Sequence, residues 1–160
     1  MQANDQSRDD EMLVHSLYKK LLKSWNQNNA AGYANLFTFD ANVIGFDGSQ
    51  MNGRVEINNQ ISEIFSSHKV SSYVSIVREI RSLCPTVFLL RAVVGMVPPG
   101  HSEINPAVNA IQTLDAQKHQ EDFLITLFQN TPAAFHGRPE LSLQLTEELQ
   151  SVMNNQKDML

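Results

Sequence analysis

Four strand-like segments follow one another in this sequence without a helical segment between them, and this arrangement restricts the possible folds more than any other feature. The segments are Val70 to Leu83, Thr86 to Val97, Ala107 to Ala116 and Asp122 to Thr131. Turn-forming residues such as Cys84-Pro85 separate them. Because consecutive strands without crossover helices pair antiparallel, the sequence predicts an antiparallel meander.

Helical spacing precedes these strands. From Asp9 onward, apolar residues recur at intervals of three and four and predict a helix with one buried face; they are Leu13, Val14, Leu17, Leu21, Leu22 and Trp25. Ser7 and Asp10 resemble a capping box, which places the start of this helix near Ser7. Ala30 to Phe37 predicts a short second helix, and residues 54–68 predict a third.

A small β-hairpin is predicted between the second and third helices. Residues 42–46 are β-branched and aromatic, Asp47-Gly48 is a turn dipeptide, and residues 50–53 can return as a short strand. Pro139 opens a last amphipathic helix, which we expect to cover the sheet or a partner subunit. The whole pattern predicts one α+β domain over residues 9–153, with flexible ends at 1–8 and 154–160.

Composition narrows the classes of partner. A formal net charge of −5 with scattered basic residues argues against nucleic-acid binding. No apolar run reaches the roughly 18 residues that span a bilayer, so no membrane association is expected. The single Cys84 cannot form an internal disulfide, and the polar first ten residues do not have the pattern of a secretory signal. We therefore expect a cytoplasmic protein.

The order of elements resembles the cone-shaped fold of nuclear transport factor two, ketosteroid isomerase and the SnoaL-like polyketide cyclases. Within that superfamily, several segments in the same order are similar to the SgcJ/EcaC family. They are VIGFDG at 43–48, GR at 53–54, GMVPPG at 95–100, NPAVNA at 105–110, QNTPA at 129–133 and HGRPE at 136–140. The resemblance covers roughly residues 10–150 and implies helices packed on a curved, mainly antiparallel sheet around a pocket for a small molecule.

The resemblance implies little about chemistry, because members of the SgcJ/EcaC family have no settled reaction and a fold does not determine a function. The isomerases of the superfamily pair a carboxylate base on the first strand with a tyrosine and a protonated acid. The base position aligns near Gly45, and the tyrosine position aligns near Leu21, one turn from Tyr18. Steroid isomerisation is therefore not expected, and the reaction, if any, stays open.

Polar residues within apolar strands are the first candidates for a ligand pocket. Arg91 interrupts an apolar run from Val87 to Val94, so it either pairs with an acid such as Glu79, pairs with a dimer partner, or faces a ligand. Asn109 interrupts the next segment, where it can bind an oxygen compound or form hydrogen bonds at a bulge. Gln129 and Asn130 point to opposite faces, so one can reach the pocket while the other faces a subunit interface.

Further candidates lie near the ends of elements. His68 ends the third helix, where it can act as an acid or base at the pocket rim or simply complement the helix dipole. His136 and Arg138, in the turn before the last helix, can bind an anionic group or anchor the loop. Asp47 and Arg54 flank the hairpin as pocket-mouth candidates, although turn and helix-start roles also explain them.

Two functional hypotheses follow. In the first, the pocket accepts a small hydrophobic or aromatic molecule, as a binding protein or as an accessory enzyme acting on a polyketide-like metabolite. In the second, the chain is a non-catalytic homodimer that associates through its sheet. The five histidines are not closely spaced, so no metal is expected, and no sequence signature indicates a cofactor. Most aromatic residues are interpreted as core, although some can contact a planar ligand.

Overall fold

Six strands form one mixed sheet in the computed structural model, which describes the backbone of residues 2–158 and the side chains of residues 4–156. The helices are α1 (Gln2–Asn26), α2 (Ala30–Ala34), α3 (Arg54–Ser67) and α4 (Pro139–Asp158). The strands are β1 (Phe37–Ile44), β2 (Gln50–Asn52), β3 (Ser72–Cys84), β4 (Val87–Val97), β5 (Ala110–His119) and β6 (Asp122–Pro132).

The strand order is β2-β1-β6-β5-β4-β3. Strands β3 to β6 pair antiparallel in sequence order, as the meander predicted. β1 pairs antiparallel with β2 and parallel with β6, which makes the sheet mixed. The predicted α+β class is therefore confirmed.

Successive side chains of each strand point to opposite faces of the sheet, and the two faces pack against different helices. The inner face packs against α1 to α3, and its central row joins Leu90, Leu114 and Phe128, which are aligned across β4, β5 and β6. These three side chains are almost fully buried, together with Leu21 of α1. Because burial of each such side chain contributes about 1.5–3 kcal/mol, this layer forms the main core.

Helix α1 is fixed to the sheet at both ends. Near its start, the buried carboxylate of Asp10 lies 3.3 Å from Nζ of Lys118 on β5. At its end, Trp25 Nε1 donates a 2.9 Å hydrogen bond to the carbonyl oxygen of Ser71. Asn26 Oδ1 accepts a 2.8 Å hydrogen bond from the backbone N–H of Tyr73 on β3. These contacts hold α1 across the width of the sheet.

Helix α4 covers part of the outer face of its own sheet, one of the two predicted alternatives. Leu145, Leu149 and Met153 pack on Val74 and Val93 in a second buried cluster. The close approach depends on Gly95, because a Cβ atom there would lie 3.2 Å from Leu149 Cδ1 and 2.8 Å from Ile104 Cγ2.

A bidentate ion pair supplements this packing of α4. Arg78 of β3 donates hydrogen bonds of 2.6 and 2.8 Å to the two carboxylate oxygens of Glu148.

Three predicted boundaries need correction. α1 begins at Gln2, so Ser7 lies inside the helix and Asp10 pairs with Lys118 instead of acting in a capping box. The second helix ends at Ala34, because β1 begins at Phe37. The predicted strand from Ala107 starts only at Ala110, because Pro106 opens a short 3-10 helix (Pro106–Val108).

Residues 2–8 continue α1 and residues 154–158 continue α4, while the predicted flexibility of both ends stays a prediction. The parts of those ends at Met1 and residues 159–160 lie outside the described residues. Within residues 2–158, no helix combines the length and apolar character required to cross a bilayer.

We expect Glu148→Gln to loosen α4, because it removes a charged hydrogen-bond acceptor of Arg78. Both side chains are about 40% exposed, so the loss of stability should not exceed about 1 kcal/mol. The hydrogen bonds from Arg78 lower the pKa of Glu148 below its ordinary 4.5. A carboxylate whose pKa is lower in the folded than in the unfolded protein stabilises the fold at every pH above its unfolded pKa. The difference in free energy of unfolding between the unmodified protein and Glu148→Gln should therefore vanish as the pH falls through the folded pKa of Glu148.

Hydrogen exchange of the α4 amides at neutral pH measures this effect, with Glu147→Gln as the matched control. Glu147 is exposed and forms no ion pair with the described residues. Equal exchange rates in both variants would contradict a clamping role for Glu148.

Candidate functional site

A cavity of about 460 Å³ lies between the inner face of the sheet and the three N-terminal helices. This volume is within the range of ligand pockets, roughly 300–1,000 Å³. Its wall is mostly aromatic and aliphatic, with a few polar groups. The lining residues are Trp25, Tyr33, Val43, Gly45, Phe46, Asp47, Ser49, Met51, Gln60, Ile61, Ile64, Tyr73, Met96, Phe128 and Asn130.

One side of the cavity is an aromatic wall centred on Trp25. The Trp25 ring centroid lies 5.5 Å from that of Tyr73 and 6.3 Å from that of Tyr33, which also line the cavity, and 5.3 Å from that of Phe65, which does not. The hydrogen bond from Trp25 to Ser71 prevents the indole from rotating freely. The wall is therefore held in place before any ligand arrives, which reduces the entropy lost on binding.

A buried chain of hydrogen bonds ends at the polar side of the cavity. The hydroxyl of Tyr18 donates to Gln112 Oε1 at 2.6 Å. Gln112 Nε2 donates to Asn130 Oδ1 at 2.8 Å, and Asn130 Nδ2 donates to the carbonyl oxygen of Ile44 at 3.1 Å. Tyr18 and Gln112 are fully buried.

The direction of this chain is fixed at the end where it meets the backbone. A carbonyl oxygen can only accept, so Asn130 must turn its Nδ2 toward Ile44 and its Oδ1 toward Gln112. Gln112 must then donate through Nε2, which leaves its Oε1 to accept from the phenol of Tyr18. The amide of Asn130 is thus held in one orientation at the cavity wall.

Tyr18, Tyr33 and Tyr73, the three tyrosines near the cavity, keep their hydroxyl protons at neutral pH. Burial raises the pKa of Tyr18 and of Tyr33 well above the ordinary value of 10.0. Burial also raises the pKa of Tyr73 to about 12. Among residues 4–156, the hydroxyls of Tyr33 and Tyr73 have no hydrogen-bond partner, so both can act as donors toward a ligand.

Asp47 is the only carboxylate among the described residues that line the cavity, and it lies at the mouth. Its side chain is exposed, and its Oδ1 accepts a 2.9 Å hydrogen bond from the backbone N–H of Ser49. This bond holds the pKa of Asp47 below its ordinary value, so the carboxylate is a weak base. Gly45, where the sequence comparison placed the isomerase base, also lines the cavity and carries no side-chain base.

The structure brings two of the nine candidate residues to the cavity, Asn130 and Asp47. Gln129 lies on the outer face, aligned with Thr113 and Arg91, while Asn130 lines the cavity; a subunit interface at Gln129 stays a prediction. Arg91 does not reach the cavity, because it pairs with Glu79 across β3 and β4, with Nε 2.9 Å from Glu79 Oε2.

The other candidates also lie elsewhere. Asn109 is buried under α4, where its Nδ2 donates to Thr146 Oγ1 at 2.8 Å; it follows the 3-10 helix and does not interrupt a strand. Arg54 Nε donates to the carbonyl oxygen of Phe37 at 2.8 Å.

His68 is exposed at the end of α3 and lines a surface depression that adjoins the cavity at Gln60 and Ile64, but it does not line the cavity itself. His136 and Arg138 are exposed in the turn before α4, and Arg138 lies over the ring of Phe135. Neither turn residue lines the cavity.

Sequence reasoning missed Gln112 and did not predict the role of Tyr18. Gln112 lies two residues from Ala110 and two from Leu114, so it interrupts the apolar row of inward residues on β5. The rule that singled out Arg91 and Asn109 applies equally to Gln112. Tyr18 is on the buried face of α1, where an aromatic residue is normally explained as core.

Comparison with known proteins identifies the fold. No family model matches the sequence, and no curated protein matches it significantly. A domain of unknown function with a cystatin-like fold from Nostoc punctiforme superposes with a TM-score of 0.75 and 22% identity, covering 91% of this chain and 98% of that one.

Two further solved structures have lower scores. A candidate scytalone dehydratase from Novosphingobium aromaticivorans has a TM-score of 0.69 at 13% identity, over 81% of this chain and 88% of its own. An NTF-2 like protein of unknown function from Shewanella oneidensis has a TM-score of 0.63 at 16% identity, over 78% and 98%. These similarities confirm the predicted cone-shaped fold.

We expect Tyr18→Phe to destabilise the protein by about 1–3 kcal/mol, because it leaves the buried Oε1 of Gln112 without a donor. Urea denaturation followed by circular dichroism measures the change. Tyr73→Phe is the matched control: its hydroxyl has no partner among the described residues, so the expected change is within about 0.5 kcal/mol. A Tyr18→Phe midpoint equal to that of the unmodified protein would contradict the chain as a structural element.

Proposed function

We propose that this chain is a small-molecule-binding domain whose ligand occupies the cavity between the sheet and helices α1 to α3. The observation that carries the proposal is a cavity of about 460 Å³ with an apolar, largely aromatic wall and one amide held in a fixed orientation. Such a lining with few polar groups is typical of ligand pockets. The aromatic residues favour a hydrophobic molecule that contains a ring.

We propose further that the protein acts in the cytoplasm beside enzymes of aromatic or polyketide-like metabolism. The support is the series of motifs that resemble the SgcJ/EcaC family, from VIGFDG at 43–48 to HGRPE at 136–140. A structural neighbour is named as a candidate scytalone dehydratase, and that activity belongs to the neighbour. The cavity of this chain offers phenol, amide and hydroxyl donors and one weak base, which suits binding better than proton abstraction.

A second proposal concerns the outer face of the sheet, through which we expect a homodimer to form. Beyond the part that α4 covers, this face presents half-buried Leu89 and Leu127, and Ile111 is 40% exposed. Gln129 lies on the same face, as expected for a residue at a subunit interface. An exposed apolar surface between polar neighbours is a common feature of such interfaces.

We expect Val43→Phe to weaken ligand binding, because the larger side chain occupies part of the cavity that Val43 lines. Native mass spectrometry of the purified protein detects copurifying molecules, and titration with naphthalene measures the affinity of a simple aromatic probe. The variant should bind naphthalene at least about tenfold more weakly, a difference of about 1.4 kcal/mol.

The matched control is Val55→Phe, the same change at a position on α3 that is 63% exposed. It should keep both the copurifying molecule and the affinity for naphthalene. Equal binding by the two variants, or no binding by the unmodified protein, would contradict the proposal.

We expect Ile111→Lys to convert the dimer to a monomer, because it places a charge at an exposed apolar residue of the outer face, beside α4. Light scattering should give the unmodified protein roughly twice the chain mass of 18.0 kDa and the variant the mass of one chain. Met12→Lys, at a position on α1 that is 70% exposed, is the control and should remain dimeric. A monomeric mass for the unmodified protein at micromolar concentration would exclude this interface.

A further inference from the structure

The fixed amide of Asn130 presents one particular hydrogen-bonding group to the cavity. Its Nδ2 carries two hydrogens, and one is donated to the carbonyl oxygen of Ile44. The other has no acceptor among residues 4–156, and Asn130 lines the cavity. Its Oδ1 is turned away toward Gln112. The polar side of the cavity therefore offers a donor.

The remaining lining groups determine the charge that fits beside this donor. Within the described residues that line the cavity, the ionisable groups are two phenols and the carboxylate of Asp47. The phenols of Tyr33 and Tyr73 hold their protons, and Asp47 is negative and exposed at the mouth. No Lys, Arg or His is among the described residues that line the cavity, and Asp47 repels an anion at the mouth, so this wall is suited to an uncharged oxygen.

We propose that the cavity selects neutral ring compounds whose carbonyl oxygen accepts a hydrogen bond from Asn130 Nδ2. This inference rests on the proposed function and specifies its ligand class. Gln112 acts as a positioning residue, because it is fully buried, does not line the cavity and holds Asn130 Oδ1 from behind. A ligand whose polar group can only donate would place its hydrogen against Asn130 Nδ2, which is also a donor, and would form no hydrogen bond there.

The test uses three probes of similar size: the ketone 1-tetralone, its alkene analogue 1-methylenetetralin, and the anion 1-naphthoate. The ketone and the alkene differ only in the acceptor oxygen, so the ratio of their dissociation constants isolates the hydrogen bond. We expect the unmodified protein to prefer the ketone by about fivefold, as one neutral hydrogen bond allows. The anion should bind at least about tenfold more weakly than the ketone.

Variants at Asn130 and Gln112, with Gln129→Leu as the control, test whether the preference for the ketone depends on the amide of Asn130. The ratio compared is the dissociation constant of the alkene divided by that of the ketone. Asn130→Leu should lower this ratio to about one, while Gln129→Leu, the same kind of change on the opposite face, should leave it near five. Gln112→Leu should lower the ratio while leaving alkene binding unchanged, a result that a general loss of stability would not produce. Preservation of the ratio in Asn130→Leu would overturn the inference.

A measurement on the unmodified protein keeps the inference testable if Asn130→Leu does not fold. In nitrogen-15 spectra, the side-chain amide resonances of Asn130 should shift with 1-tetralone and stay in place with 1-methylenetetralin. If both probes bind equally well, or if the amide does not respond to the ketone, the inference fails and the proposed function stands. If none of the three probes binds at millimolar concentration, the proposed function fails as well.

Discussion

The carbonyl oxygen of Ile44 sets the direction of every hydrogen bond in the chain that ends at Tyr18. Through that chain, β1, β6, β5 and α1 are joined by hydrogen bonds between a backbone carbonyl oxygen and three side chains. A buried amide without its partner costs about 1–3 kcal/mol, so a different register between any two of these elements is disfavoured. The cavity wall is thus fixed by the same bonds that align the elements.

The parallel pairing of β1 with β6 is necessary for this arrangement. It brings Ile44 beside Gln129, one residue from Asn130, at the edge of the cavity. The antiparallel pairing of β5 with β6 places Gln112 directly opposite Asn130. The polar group that faces the cavity therefore depends on two pairings of different direction, and long-range contacts of this kind leave little trace in local sequence patterns.

Local patterns predicted the meander and the third and fourth helices, because periodicity and turn residues determine these elements, whereas the cone-shaped fold was predicted from the resemblance to a known superfamily. The start of α1 was predicted wrongly from Ser7 and Asp10: α1 begins at Gln2, and Asp10 forms a tertiary contact with Lys118 instead of a local cap. For the site, the period of two placed Gln129 and Asn130 on opposite faces, but only the packing of the helices decides which face encloses the cavity. Arg91 shows the converse case, because its interruption of an apolar strand is fully explained by Glu79 on the neighbouring strand.

The position of Gln112 and Asn130 also bears on why the interior contains amides at all. Both occupy inward positions in strands whose other inward residues, such as Leu114 and Phe128, are apolar and buried. Replacement of two bonded amides by apolar groups of the same shape can be neutral or stabilising, so fold stability alone does not require them. What the pair provides is an N–H donor of fixed orientation at the wall of a mostly apolar cavity, which is the group that the proposed ligand selection uses.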